Sequence, residues 1–147
     1  MDVLTPDQRR RCMARIRARN TKPEIVLRKQ LFALGFRYRL HDRALPGTPD
    51  IVFPKFHAAV FVHGCFWHGH DCALFTVPAT NTEFWLTKIG VNRARDAGAV
   101  RALRALGWRV MTVWECGLRG REKLPLDKLA LRIARWLCSR RGLATLP

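Results

Sequence analysis

A single α/β domain, a mixed sheet flanked by helices, is the fold class this sequence predicts. Its apolar positions switch between helical faces and short β-rich runs in the order helix, helix, three strands, helix, strand, helix. The chain's 147 residues are one domain's worth, enough to bury a core without disulfides. With 48% hydrophobic and 26% charged residues, no repeats and no long linker, the composition is that of an ordinary globular domain.

Each element has its own signal. Thr5-Pro6-Asp7-Gln8 is a capping box with proline at the first helical position, predicting a helix to about Ala18. Thr21-Lys22-Pro23-Glu24 repeats the pattern, and Ile25, Leu27, Leu31 and Leu34 give the next helix an apolar face that Gly35 stops. Residues 36–40 alternate apolar side chains with arginine, as a half-exposed strand does, and 41–49 form a turn-rich loop. Residues 50–53 and 58–62 are short β-rich runs; the second carries no charge and is expected at the centre of the sheet. A loop rich in cysteine, histidine and aromatic residues spans about 63–79. A helix over 82–106 is expected to break or bend at Gly90 and to stop at Gly107. Residues 108–114 form another strand. The last helix, 126–137, sets Leu126, Leu129, Ala130, Ile133, Trp136 and Leu137 on one stripe. Residues from Arg140 on are expected to fray, and Trp108, Trp114 and Trp136 to be core.

Charge narrows the partner. Lysine and arginine number 27 against 11 aspartate and glutamate, a net charge of +16. So much like charge on a compact domain repels itself unless a polyanion meets it, and arginine's planar fork suits phosphates and base edges. Composition therefore points to a nucleic acid without saying which. Residues 9–19 hold six arginines and no acid, with Met13 and Ile16 as the only large aliphatic side chains. That face is too thin to fold alone, so residues 1–20 read as a basic arm ordered on DNA, where Met13 and Ile16 are candidate contacts, ahead of a domain over 21–140. No run of about 18 apolar residues and no signal peptide is present, which predicts a cytoplasmic protein with no membrane partner.

The five cysteines are unevenly placed. Cys65 and Cys72 lie close together among His63, His68 and His70, whereas Cys12, Cys116 and Cys138 are distant. In a cytosolic chain such clustering suggests a metal rather than a disulfide framework. Cys65, His70 and Cys72 fall within eight residues, and Cys116 follows a strand whose end could reach them. Three thiolates and one imidazole make a closed tetrahedral site of the structural zinc type. The alternative is that Cys116 is simply a small buried hydrophobe.

Pro49-Asp50 at the start of one strand and Phe61-Val62-His63 at the end of the next form a second constellation. Phosphodiester cleavage needs a carboxylate to hold Mg²⁺ and a group to activate water. The arrangement resembles the PD-(D/E)xK restriction-endonuclease core, with a helix-borne acid at Glu24. It departs at Phe61, where a second acid is expected, and at His63, where lysine is expected. The alternative is a turn aspartate capping a strand.

The run His63-Gly64-Cys65-Phe66-Trp67-His68-Gly69-His70-Asp71-Cys72 is the most specific feature of the chain. With Val77-Pro78-Ala79-Thr80, Thr82-Glu83-Phe84-Trp85-Leu86 and Lys88-Ile89-Gly90, it resembles the very-short-patch-repair (Vsr) mismatch endonucleases. Leu45-Pro46-Gly47 with Pro49-Asp50, Leu106-Gly107-Trp108-Arg109-Val110, Val113-Trp114-Glu115-Cys116 and Leu118-Arg119-Gly120-Arg121-Glu122-Lys123 extend the resemblance over about residues 8–137. The chain departs from better-known members at Gly69 and Asp71, where further histidines can occur.

The resemblance implies a monomeric endonuclease that nicks duplex DNA 5′ to the thymine of a T:G mismatch. It implies a catalytic Mg²⁺ held by Asp50 and the backbone carbonyl of Val62, and a structural Zn²⁺. His68 would be the general base, with an imidazole's ordinary pKa of about 6.5. Glu24 would orient His68 or a metal-bound water, and His63 would sit near the scissile phosphate. Phe66, Trp67 and Trp85, core residues in most proteins, would form a wedge beside the mismatch, where unstacking costs least. Lys88 and Asn92 could contact the mismatch or its neighbours, and the arginine arm would clasp the opposite groove. The place of action would be the nucleoid, with mismatch-repair proteins among the candidate partners. A sequence-specific or relaxed nickase of the same fold, and a zinc-containing DNA-binding module without catalysis, are the rival readings.

Overall fold

The computed structural model describes residues 5–8, 22–121 and 123–146. Its elements are helix α1 (Lys22–Ala33), strands β1 (Arg39–Leu40) and β2 (Ile51–Phe53), a 3₁₀ turn (Pro54–Phe56), β3 (Ala58–His63), α2 (Thr82–Ala105), β4 (Arg109–Trp114), a second 3₁₀ turn (Glu115–Gly117), α3 (Leu126–Leu137) and β5 (Leu143–Leu146). The strands form one mixed sheet in sequence order. β1, β2 and β3 pair antiparallel, and β3, β4 and β5 parallel. Thr5 and Gln8 make the two reciprocal capping-box hydrogen bonds, at 2.9 and 3.2 Å. The rest of the predicted arm, Met13 and Ile16 included, lies outside the described residues.

Side chains along β3 alternate between two cores. Ala58 and Val60 join Ile51, Phe53, Met111 and Val113 on one face, which α1 covers with Leu27 and Leu31, and α3 with Leu129, Ala130, Ile133, Trp136 and Leu137. Ala59 and Phe61 join Val110 on the other face, under Leu103 of α2. The domain is thus three layers, with helices on both sides of the sheet. β3 is buried on both faces, as its uncharged run requires. Each fully buried Leu, Ile or Val stabilises the fold by about 1.5–3 kcal/mol.

Gly107, at φ +87°, ends α2 as expected: Trp108 N–H reaches back to the Leu103 carbonyl at 2.9 Å, a Schellman closure. Four expectations need correction. α2 runs unbroken through Gly90, whose missing side chain faces open space; the cost of one glycine, about 1 kcal/mol, is carried by a 24-residue helix. The segment after Arg140 does not fray. Leu143–Leu146 pairs in parallel with β4, and Leu146 is buried in the larger core. Trp136 is core, but Trp108 and Trp114 are half-buried, each stacked on a histidine ring. The strand expected over 36–40 is confined to β1, because Phe36 and Tyr38 turn their rings edge-on to Phe53.

One cation ties the layers together. The Arg109 guanidinium donates to the carbonyls of Trp136, Ser139, Phe56 and Leu137 at 2.7–3.1 Å and lies 4.9 Å over the Trp136 ring. It thereby satisfies carbonyls at the C-terminal end of α3, where a positive charge also opposes the helix dipole. Hydrogen bonds to a charged group are worth about 1.5–3 kcal/mol each but do not add fully. Arg109→Met should cost about 3 kcal/mol or more in urea unfolding, and Arg109→Lys should recover only part of it. A loss under about 1 kcal/mol for the methionine variant would contradict this role.

Candidate active site and metal centre

The parallel pairing of β3 with β4 builds the working edge of the sheet. Their ladder ends at His63↔Trp114, so Cys65 and Cys116 each stand two residues beyond the same register position. The β2–β3 ladder ends at Ile51↔Val60. Asp50 is one residue past it, and its Oδ2 accepts the Val62 N–H at 2.7 Å. On its other side His41 N–H donates to the Asp50 carbonyl at 3.1 Å, extending the β1–β2 pairing into the loop.

Three groups of ionisable side chains collect at this edge. In the first, Cys65, His70, Cys72 and Cys116 bring three thiols and one imidazole within 4.8 Å of one another. Cys116 N–H donates to Cys65 Sγ at 3.3 Å, and Cys116 Sγ lies 3.5 Å from His70 Nδ1. The His70 ring stacks on Trp114 with centroids 4.1 Å apart. Cys116 is therefore a member of the donor set and not merely a small buried side chain. Burial pushes the Cys65 thiol well up, so its thiolate needs a cation beside it. These four residues could hold a tetrahedral metal ion. The loop they gather also packs on α2: a Cβ at Gly69 (φ +60°) would come within 2.7 Å of Ile89 Cγ2.

The second group is His63, His68 and Asp96. His68 Nδ1 pairs with the Asp96 carboxylate. That bond orients the ring and leaves Nε2 as its basic nitrogen. His63 lies parallel to His68, with centroids 3.9 Å apart. Burial, reinforced by His68, lowers the His63 pKa to about 4, so this ring is neutral at neutral pH. Its Nδ1 is buried without a hydrogen-bond partner among the described residues.

The third group is Glu24, His41 and Asp50. Glu24 is 2% exposed; its Oε1 lies 3.2 Å from His41 Nε2 and 3.4 Å from Arg28 Nη1. His41 Nδ1 faces Asp50 Oδ1 at 3.7 Å. Burial raises the Asp50 carboxyl to about 7, with the Glu24 charge adding to the effect while the Val62 N–H and nearby His68 oppose it. His68 lies near enough to Asp50 to influence its ionisation, so the second and third groups share one neighbourhood. Glu24 is not the partner expected for His68, because Asp96 holds that ring and His41 and Arg28 engage Glu24.

Beside them lies an aromatic group. Phe66, Trp67 and Trp85 meet edge to face at 5.2–5.7 Å, half-buried rather than enclosed, with Phe84 59% exposed next to Trp85. Asn92 donates to the Trp67 carbonyl at 2.9 Å, which anchors the loop to α2, and Lys88 is exposed on the same helix. Asp96 and His41 were not singled out from the sequence. A signal for Asp96 was present: Ile89, Asp96 and Leu103 recur every seven residues, which puts a carboxylate on the buried face of α2.

A three-layer α/β domain with a thiol–imidazole cluster that could hold a metal ion, and beside it a buried carboxylate and a histidine paired with an aspartate, has the groups a hydrolase uses. The family model described as DNA mismatch endonuclease Vsr matches residues 1–74. The chain is 48% identical over 137 residues to the DNA mismatch endonuclease Vsr of Escherichia coli K12, covering 93% of this chain and 88% of that protein. It is 50% identical to the type II nicking enzyme V.XorIIP of Xanthomonas oryzae pv. oryzae, over 80% of this chain and 86% of that one. Against the type II nicking enzyme V.NmeAIP of Neisseria meningitidis serogroup A, identity is 45% over 82% of this chain and 86% of that one. The chain belongs to the Vsr family of DNA mismatch endonucleases. Among the described residues no helix is long and apolar enough to cross a membrane.

The Asp50 environment has a measurable consequence. The folded protein holds the Asp50 proton up to about pH 7, whereas an unfolded chain releases it near about 3.9. The stability this proton contributes is complete below the unfolded value and is lost as pH rises through the folded one. Asp50→Asn cannot ionise, so in magnesium-free buffer its stability relative to the parent should climb by roughly 1.4 kcal/mol per unit between about pH 4 and 7, then level off. His63 titrates in the opposite sense in both proteins and cancels in the difference. Urea unfolding across that range measures it, and a flat or falling difference contradicts the assignment.

Proposed function

We propose that this protein is a Mg²⁺-dependent, strand-nicking endonuclease that recognises T:G mismatches in duplex DNA and hydrolyses the phosphodiester 5′ to the mismatched thymine. The observation that carries the reading is the His68–Asp96 pair beside the buried Asp50, in a chain of the mismatch-endonuclease family. The PD-(D/E)xK reading of β2 and β3 belongs to the same proposal, with Asp50 as its acid and His63 in the lysine's place.

The donor set suits a hard cation. Asp50 is a buried carboxyl next to Glu24, held neutral to about pH 7, and a dication would relieve that unfavourable charge. Asp50 and the Val62 carbonyl would hold the Mg²⁺, which when bound stabilises charge on the phosphate and leaving oxygens. His68 accepts the proton of the attacking water at Nε2, while Asp96 keeps the ring in the correct tautomer and steadies the imidazolium that forms. His63, neutral and with a buried unpartnered nitrogen, is suited to meet the scissile phosphate. Glu24 is suited to orient a water on the Asp50 side.

Recognition falls to the aromatic group. Phe66, Trp67 and Trp85 act as the wedge, Lys88 contacts the duplex, and Asn92 acts through the Trp67 carbonyl it holds. Residues 1–20, with Met13 and Ile16, act as an arm on the opposite groove of the nuclease domain over 21–140. Cys65, His70, Cys72 and Cys116 hold a structural Zn²⁺ that carries no catalytic water. The enzyme acts as a monomer in the cytoplasm, on nucleoid DNA.

The test is a nicking assay on two duplexes that differ only in T:G against T:A, in Mg²⁺. The T:G duplex should be nicked 5′ to the thymine at least about 100-fold faster, and Asp50→Ala should abolish nicking while binding stays within a few-fold. Equal rates on both duplexes would favour the rival reading, a sequence-specific or relaxed nickase, in keeping with the relatives named type II nicking enzymes. No nicking by the parent protein would leave only a DNA-binding module.

A further inference from the structure

The third group, Glu24, His41 and Asp50, holds more than the proposed Mg²⁺ site requires. His41 bridges two buried carboxylates on opposite sides of its ring. Its Nε2 lies 3.2 Å from Glu24 Oε1, within hydrogen-bond reach. Its Nδ1 faces Asp50 Oδ1 at 3.7 Å, too far for a hydrogen bond, and the ligand atoms of Glu24, His41 and Asp50 all lie within 4.8 Å of one another, so a small inward shift would bring both onto one ion. An imidazole that ligates a metal through one nitrogen ordinarily donates its other N–H to a carboxylate, which sets the tautomer and strengthens the ligand. Glu24 stands where that carboxylate should be. The backbone sets the base of the ring beside Asp50: His41 adopts φ +48° and its N–H is bonded to the Asp50 carbonyl.

We infer that His41 is a nitrogen ligand of the ion held by Asp50, with Glu24 fixing it from behind, so that the site binds a transition-metal dication such as Mn²⁺ more tightly than the Mg²⁺ with which the proposed reaction runs. Imidazole is a poor partner for Mg²⁺, which demands oxygen donors; Mn²⁺, though also served chiefly by oxygen, accepts an imidazole nitrogen more readily, and the later first-row dications more readily still. Glu24 then acts as a positioning residue through His41. The inference rests on the assignment of Asp50 as the metal carboxylate in the preceding subsection.

The experiment uses the full-length, zinc-loaded protein and Mn²⁺ as the probe. Calorimetric titration should give one Mn²⁺ site bound at least about 10-fold more tightly than Mg²⁺, and His41→Ala should weaken Mn²⁺ binding about 10-fold or more while affecting Mg²⁺ less. Electron spin-echo spectroscopy of bound Mn²⁺ should show an imidazole nitrogen coupling that disappears in His41→Ala and persists in His68→Ala. A parent spectrum without nitrogen coupling, or one unchanged in His41→Ala, overturns the inference. Asp50→Asn separates the two claims. If it retains full Mn²⁺ affinity, the site assignment itself fails; if it abolishes Mn²⁺ binding while His41→Ala binds as the parent does, only the ligand role of His41 fails. Circular dichroism and an unchanged zinc content confirm that each variant is folded.

Discussion

The parallel register of β3 and β4 is the constraint on which the working edge depends. Because His63 pairs with Trp114, the chain leaves both strands at one edge, and Cys65 and Cys116, 51 residues apart, emerge side by side. A metal ion held there would convert a long loop with little aliphatic content into a fixed platform. The proposed general base and part of the wedge are attached to it: His68, Phe66 and Trp67 lie between the first and second residues of the cluster. α2 closes the platform from the far side, through Asp96 on His68, Asn92 on the Trp67 carbonyl and Ile89 against Gly69.

Electrostatics at this edge is a balance of buried groups rather than a set of surface pairs. Between about pH 4 and 7 the folded state keeps Asp50 protonated and His63 deprotonated, the reverse of the unfolded chain, so their effects on stability oppose each other. Such opposed shifts in neighbouring groups are a hallmark of sites that move protons and recruit cations. The strongly basic remainder of the chain serves another need, attraction to a polyanion, and the acids that matter are kept buried or paired within it.

Much of this was legible in the sequence because it rested on local chemistry. The period of the apolar stripe in α3, the uncharged run of β3 and the glycine that stops α2 each act within a few residues. The thiol cluster was readable because three of its donors are close in sequence and the fourth follows a strand end. What escaped was set by tertiary contact. β5 carries only four residues of ordinary composition and becomes a strand because β4 offers it an edge. Asp96 sits among arginines, and its seven-residue spacing from Ile89 and Leu103 marks the inward face of α2 without naming a partner; the packing of α2 supplies His68. His41 reads as a loop residue until the β1–β2 turn sets it between two carboxylates, one of which is Glu24.

The dependence of the site on one bound ion is tested most directly by zinc K-edge X-ray absorption on the purified protein. The account predicts one zinc per chain with three sulfur ligands at about 2.3 Å and one nitrogen at about 2.0 Å. A folded protein with less than about half an equivalent of zinc, or with oxygen in place of the thiolates, would contradict it.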